Sequence, residues 1–476
     1  MSSASVPVLF VSSLLVFPLF CSPALPQTIP VRLLDSTSTF TDDFVVRVRE
    51  GVAVGTGDLS GNSKGALWDG AGSHSLLPLA GNTVASASDF NDAGDVVGTS
   101  VKSFFFARAA TVWRNGTAID VNSLVTGGIQ KFLGTATTID AAGRIAGEAG
   151  ASSRGPFTVG YLLDQGTVLD LGKLTNGNVG VTPLRMNDDQ QITGIGDAGG
   201  VSHAFLWDHG LLTDLHDPAQ ITGTTSEGVA INRFGVICGD ATFSTGHGSE
   251  RQSAVTFDHG VVTDLGANVP SPSQALGVND FGAVVGTYLD PTLGSLACRF
   301  ENGGATDLNT LIAAGTGWTL EIATDVDDEG RIVGVGHLNG VERAFILEPS
   351  FKGTFTVYGT GCTGPFTNEP VMTGVGVPSP DQDFALFTHE GDPNAVGLLL
   401  VGSSNGVVTF KPGCDVEVLP LLLPPAVIAL DGLGQEWLAA HVPSGVGPLD
   451  LFVQSFFFVP PSKLPAATKP VQIHIE

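Results

Sequence analysis

The chain has 476 residues, of which 63 are glycine and only 14% are charged, a balance that favours short strands joined by glycine turns over helices. Its 47 acidic and 21 basic residues give a formal net charge of −26. That charge repels phosphate backbones and anionic lipid, which excludes nucleic-acid binding and leaves cations, basic partners and neutral glycans open.

Residues 7–20 form an uncharged apolar run, followed by Cys21-Ser22-Pro23-Ala24 with small residues where a signal peptidase cleaves. Residues 1–24 therefore read as a secretory signal peptide, and no later segment reads as a membrane span. The mature chain is expected to be secreted, extracellular or in the cell envelope.

A short phrase then recurs: a polar turn, a glycine, two apolar residues and a closing glycine. It reads Asn91-Asp92-Ala93-Gly94-Asp95-Val96-Val97-Gly98, then Asp140–Gly147, Asn187–Gly194, Asn232–Gly239, Asn279–Gly286 and Asp327–Gly334, after a degenerate copy over Arg49–Gly55. The closing glycines, at 55, 98, 147, 194, 239, 286 and 334, are 43 to 49 residues apart, a period that marks stacked or circular arrays of one supersecondary unit. Each phrase is followed by a strand such as Thr111-Val112-Trp113-Arg114 and then a shorter one ending in Asp-Leu, as in Thr263-Asp264-Leu265. Four short strands per unit, with small residues on the first, predict a seven-bladed β-propeller over residues 29–349. The seventh unit lacks a fourth strand, and Val31-Arg32-Leu33-Leu34-Asp35, ahead of the first, resembles the missing one. That strand is expected to close the ring and remove its edges. The turn glycines Gly94, Gly143, Gly235, Gly282 and Gly330 should take positive φ. Gln190 stands at this place in the fourth unit and predicts a longer or bulged hairpin, or a left-handed Asp189.

His203-Ala204-Phe205-Leu206-Trp207, with Asp214-Leu215 and the phrase Asn232–Gly239, resembles the extracellular HAF-repeat family over roughly residues 40–349. The resemblance implies secreted bacterial repeat proteins without a settled activity, and it supplies no catalytic residue.

From about Gly353 the period stops, and short alternating strands predict a β-sandwich over residues 353–476. Its opening Tyr358-Gly359-Thr360-Gly361-Cys362 resembles a C-terminal module of secreted planctomycete proteins. Cys362 and Cys414 share this segment and are expected to form a disulfide, whereas Cys238 and Cys298 read as buried free thiols.

Several patterns imitate chemistry. Gly402-Ser403-Ser404-Asn405-Gly406 matches a nucleophile elbow, but strand-like residues flank it on both sides, so a hairpin turn is expected. Asp208-His209 and Asp258-His259 look like acid–base dyads, yet sister units place Asn115 or Gln165 at the histidine position before glycine, which reads as a turn. Trp68, Trp113 and Trp207 occupy one strand position and read as packing between units. Asp325, Asp327 and Glu329, ahead of Gly330, resemble the start of a calcium loop without the full ligand set, with a hairpin turn as the competing reading. No other cofactor is implied, and no unit-specific group of carboxylates or histidines stands out in the repeats. The sequence is thus read as a secreted non-enzymatic repeat protein, a binding or surface-interaction module with a glycan or cell-surface protein as partner. The alternatives are a structural cell-envelope protein and a propeller-fold carbohydrate-active enzyme.

Overall fold

The computed structural model describes residues 29–34, 41–59, 62–102, 107–301, 303–349, 353–363, 366, 368–380, 382–411, 414–431, 434–442, 446, 448–458 and 465–475. The signal segment 1–24 lies outside them. The described chain is all-β: it forms strands and two short 3-10 turns, Val121–Leu124 and Leu308–Leu311. None of its helices is long and apolar enough to cross a membrane. It divides into two compact units, one ending at Pro349 and one beginning at Ser350.

In the first unit each phrase turns the chain between the first and second strands of an antiparallel sheet. The fourth repeat is representative, with Thr182–Met186, Gln191–Asp197, Ser202–Asp208 and Leu211–Asp214 pairing in sequence order. The third repeat departs: its first strand shrinks to Thr138–Ile139, and Gly127–Gly128 adds parallel to Thr167–Asp170. The seventh sheet comprises Trp318–Val326, Ile332–Leu338 and Val341–Leu347 and is completed by Val31–Leu33 from the chain's start, with Val31 opposite Leu347 and Leu33 opposite Phe345. The first strands touch one another in sequence order. Thr41–Arg49, the first strand of the first repeat, touches both Val84–Phe90 of the second and Trp318–Val326 of the seventh, so the series closes on itself.

The closing glycine has a steric cause. A Cβ on Gly98 would lie 1.9 Å from the Ser86 carbonyl oxygen, and one on Gly286 would lie 1.9 Å from that of Gln274. The same clash with a first-strand carbonyl recurs at Gly55, Gly194, Gly239 and Gly334, and at Gly147 with the Thr135 carbonyl just ahead of the shortened strand; only glycine permits so close an approach. In six repeats the first strand also carries a β-bulge just beyond this crossing, as between Ala87 and Asp89, which sharpens its twist.

Apolar side chains fill the space between successive sheets; Val97 and Val112 of the second repeat meet Ile139, Ile145 and Tyr161 of the third. Trp68, Trp113 and Trp207 are buried there, and the Trp113 indole donates to the Leu77 carbonyl at 2.7 Å. Their inter-sheet place is the packing role expected of them, and truncating one to alanine costs about 3–5 kcal/mol.

The second unit places one sheet, with Thr354–Val357, Val471–Ile475, Leu449–Phe458, Val396–Gly402 and Ala426–Ala429, near a three-stranded sheet of Val371–Gly376, Asp383–His389 and Glu436–His441. One apolar cluster joins them: Met372, Phe384 and Leu386 from the smaller sheet meet Val453, Phe457 and Ile473 from the larger. The Tyr358–Cys362 segment wraps a buried glutamate. The Tyr358 hydroxyl donates to the Glu417 carbonyl at 3.0 Å, and the Thr360 amide and hydroxyl donate to Glu417 Oε1 at 2.8 and 2.9 Å. A Cβ on Gly359 would strike that carboxylate.

Candidate functional site

On each first strand one residue pairs with the residue just before the closing glycine. These seven equivalent positions hold Arg47, Asp89, Thr138, Arg185, Ala230, Gly277 and Asp325. Repeats that agree elsewhere thus differ in charge here, and the charged members converge. Arg47 lies 3.2 Å from Asp325 and 3.4 Å from Asp89, the equivalent residues of the two neighbouring repeats. Each acceptor also ties down the next strand. Asp325 accepts the Val48 amide at 2.9 Å, Asp89 accepts the Thr138 hydroxyl at 2.6 Å and the Ile139 amide at 3.2 Å, and the Thr138 hydroxyl oxygen accepts the Met186 amide at 3.0 Å.

Arg185 reaches further. Its guanidinium donates to its neighbour's carbonyl, Leu184, at 3.1 Å and to the Val46 carbonyl at 3.3 Å. Val46 belongs to the first repeat and Arg185 to the fourth, so this bond passes across the middle of the ring. Burial opposes the charge on Arg47, but Asp325 and Asp89 outweigh it and hold the group above the ordinary arginine range. Burial draws Arg185 below that range. Cys238 is a buried free thiol, as is Cys298, and burial, with Asp325 adding, pushes the Cys238 thiol up to about 12.

A second series links the turns. Asn91, Asn187, Asn232 and Asn279 each donate a side-chain amide to the carbonyl of the equivalent residue in the next repeat, at 2.9 to 3.1 Å. Their side-chain oxygens accept amides of their own turns, as Asn187 accepts Gln191 N at 3.0 Å. Asp140 and Asp327 have no amide to give; in both repeats an arginine four residues on pairs with the aspartate, and Arg144 also reaches the next repeat. Arg144 pairs with Asp140 at 2.5 Å and donates to the Asp188 carbonyl at 3.1 Å, and Arg331 pairs with Asp327 at 2.9 Å. The turn glycines Gly94, Gly143, Gly235, Gly282 and Gly330 have φ between 75° and 78°. Gln190 corrects the expectation for the fourth repeat. The hairpin is not lengthened, because Gln190 N donates to the Asn187 carbonyl at 3.1 Å as Gly94 N does to Asn91 at 2.9 Å. Gln190 itself takes φ 63°, so the bonded turn imposes the left-handed conformation on a residue that pays a steric cost for it.

One repeat further carries a carboxyl pair. Glu227 of the fifth first strand lies directly across from Asp240. Asp240 is buried and accepts the Gln252 and Gln274 side-chain amides at 2.8 and 3.3 Å. Burial, with Glu227 adding, pushes the Asp240 carboxyl up to about 6. Phe44 and Gln274 hold the register of Glu227 in their own repeats, opposite Thr56 and Thr287, and Phe44 is 43% exposed.

The calcium candidates do not meet. Asp325 is held by Arg47, whereas Asp327 and Glu329 both engage Arg331 at 2.9 and 3.0 Å. Their negative charge is thus met by guanidinium groups. Among the described residues no three His, Cys, Asp or Glu side chains are grouped to hold a metal ion. His209 and His259 adopt φ 47° and 46° ahead of positive-φ glycines, matching Asn115 and Gln165; this is the hairpin geometry that a two-residue turn demands. The Gly402–Gly406 segment is not the expected hairpin, because Val396–Gly402 pairs with Leu449–Phe458, while Val408–Lys411 pairs with Cys414–Val416. The Ser404 hydroxyl is spent on the Leu419 carbonyl at 2.5 Å. The Cys362 backbone pairs with Ala467; the Cys414 side chain, on which the expected disulfide turns, lies outside the described residues.

The axial charges were missed in the sequence because each sits in a run of small and apolar residues that reads as strand. The signal is positional: in six repeats the residue stands nine places before the closing glycine, and in the first it stands eight before.

No family model matches the chain, and no curated protein does. Among solved structures it is similar to TolB from Acinetobacter baumannii, at 16% identity and a TM-score of 0.33 over 55% of this chain and 61% of that one. The chain therefore spans about three fifths of TolB's length. It is also similar to Trypanosoma rangeli sialidase in complex with sialic acid, at 9% identity and a TM-score of 0.31 over 96% and 93% of the two chains. Likenesses this low do not bear on function.

Proposed function

We propose that residues 29–349 form a seven-bladed β-propeller of the HAF-repeat kind, followed by a β-sandwich. The chain would act outside the cell as a non-enzymatic binding module for a neutral glycan or a glycan-bearing cell-surface protein. One observation carries the reading. The charged axial residues are spent within the ring, Arg47 on Asp89 and Asp325 and Arg185 on backbone carbonyls, while the register that holds Phe44, Glu227 and Gln274 combines an exposed ring with carboxylate and amide groups. Aromatic faces stack on sugar rings, and carboxylates and amides bond hydroxyls; a chain of charge −26 favours neutral over anionic glycans. The test is a panel of neutral glycans against the exported protein. Phe44→Ala and Glu227→Ala should each weaken the captured glycan about tenfold, the loss of roughly one such contact. Equal binding by both variants removes the proposal.

The Glu227–Asp240 pair favours one second reading, a carbohydrate-active enzyme. A carboxyl near 6 beside another carboxylate is the arrangement of an acid–base couple. Turnover of a glycan by the wild type that disappears in Asp240→Asn would replace the binding reading with this one.

A further inference from the structure

Away from the axis, the fourth repeat stacks two imidazoles. The rings of His203 and His216 lie 4.0 Å apart at 11°. His203 is near the start of the third strand, Ser202–Asp208, and His216 follows the fourth, Leu211–Asp214. Asp214 serves both: Oδ2 is 2.9 Å from His203 Nδ1, and Oδ1 accepts the His216 backbone amide at 2.9 Å. His216 Nδ1 is 3.1 Å from the hydroxyl of Ser226, which also accepts the Ala204 amide at 3.1 Å. A hydroxyl that accepts one amide keeps its own proton to donate, so a neutral His216 completes the set. Ser226 is fully buried and serves as a structural bridge from the fourth repeat to the fifth.

The segment after His216 is a clasp between these two repeats. Asp217 caps it, accepting the Gln220 and Ile221 amides at 3.0 and 2.7 Å. The Gln220 side chain then bonds the fifth repeat, donating to the Gly260 carbonyl and accepting the Val262 amide, both at 2.9 Å.

We propose that the stacked His203–His216 pair is an acid-operated release for this clasp: a second proton on the pair separates the rings and frees His216–Thr225 from the Val261–Asp264 strand of the fifth repeat. Two imidazolium ions at this spacing would share one close carboxylate, Asp214. The groups facing His216 are His203, Asp214 and Asp217, with the Gly223 backbone bonded to it. Burial and then His203 hold the His216 pKa below the ordinary histidine value, against the opposing pull of Asp214, Gly223 and Asp217. With the folded value lowered, the contribution is complete above the unfolded value of about 6.5 and is lost as the pH falls from there through the folded value.

The experiment is amide hydrogen exchange, corrected for intrinsic rates, on the full chain at pH 7.5 and 5.0. Peptides covering 215–226 and 259–264 should lose protection about tenfold or more at the lower pH, a change of roughly 1.4 kcal/mol, while those covering 45–54 hold theirs. In His216→Gln the acid response should vanish, whatever the baseline. Equal protection at both pH values in the wild type, or an undiminished response in the variant, overturns the proposal. Should the variant fail to fold, NMR titration of the wild-type histidine rings decides: a His216 midpoint at or above 6.5 refutes the device, and one clearly below it upholds it only if protection of 215–226 falls over the same pH range.

Discussion

The turn ladder can be rewired on paper, and the result tested. Four repeats link to the next through an asparagine amide, and two use aspartate with an arginine four residues on. Converting the fourth repeat from the first solution to the second requires Asn187→Asp and Gln191→Arg. Alone, Asn187→Asp removes donors to the Asn232 carbonyl at 3.0 Å and to Gln191 Oε1 at 2.9 Å, and places a carboxylate at a buried site. Gln191 can turn away, but the Asn232 carbonyl cannot. Orphaning that group costs about 1–3 kcal/mol, and desolvating the new charge brings the loss to about 2–4 kcal/mol. The new carboxyl should titrate above its unfolded value, so the deficit grows as the pH rises through that window. Adding Gln191→Arg supplies the guanidinium that Arg144 and Arg331 supply elsewhere, and Asp208, already bonded to Gln191 at 3.2 Å, lies within its reach. The double variant should recover about 1–3 kcal/mol, a coupling of the size neighbours show. Urea unfolding followed by tryptophan fluorescence reads the cycle, since Trp68, Trp113, Trp207 and Trp318 lie in the first unit. A near-neutral Asn187→Asp, or strictly additive single changes, would refute the reasoning.

Gly94→Val should destabilise by about 1–3 kcal/mol from φ strain alone, because nothing lies within 4 Å of the added Cβ; Gln190→Gly should do the reverse and raise the urea midpoint slightly. If Gln190→Gly lowers the midpoint, strain is not the cause. Removing Ile29–Leu34 should leave the seventh sheet's outer edge open and produce earlier unfolding or aggregation, measured by light scattering on heating; a truncated chain that melts like its parent contradicts closure by pairing. A Cys362–Cys414 bond should contribute about 2–4 kcal/mol to the second unit, with linked peptides in an unreduced digest, whereas two free thiols would remove it.

What the sequence discloses about the fold follows from steric demands that repeat. Gly98 and Gly286 meet a carbonyl oxygen at the same distance, so the same letter recurs at a fixed period, and the spare strand at Val31 is visible because the seventh repeat is one strand short. The turn at Gln190 misleads because a bonded hairpin can force a left-handed side chain at modest cost. The axial residues are hidden for a different reason. Arg47 and Asp89 belong to separate repeats, and their attraction arises only once the ring brings neighbouring repeats side by side. Glu227 and Asp240 are likewise 13 residues apart in the chain and opposite each other in the sheet. Asp325, Asp327 and Glu329 show the converse: adjacency along the chain suggested a shared ligand, but the strand ends at Val326, so Asp325 stays on it beside Arg47 while Asp327 and Glu329 belong to the turn and engage Arg331.

The strand at Val31–Leu33 also governs when this molecule can be finished. Arg32 bonds Glu348 across 316 residues of sequence, so the first described strand of the unit waits for nearly the last. Contacts this distant in sequence slow folding, because the loop-closure entropy must be met before the contact stabilises anything. Until then Val341–Leu347 presents an open edge that any passing strand could pair with. Repeats one to six can stack as they emerge, each on its predecessor, yet none of this commits the chain. Pairing of Val31–Leu33 joins the two ends of the unit, and a chain halted before Phe345 has no partner for that strand.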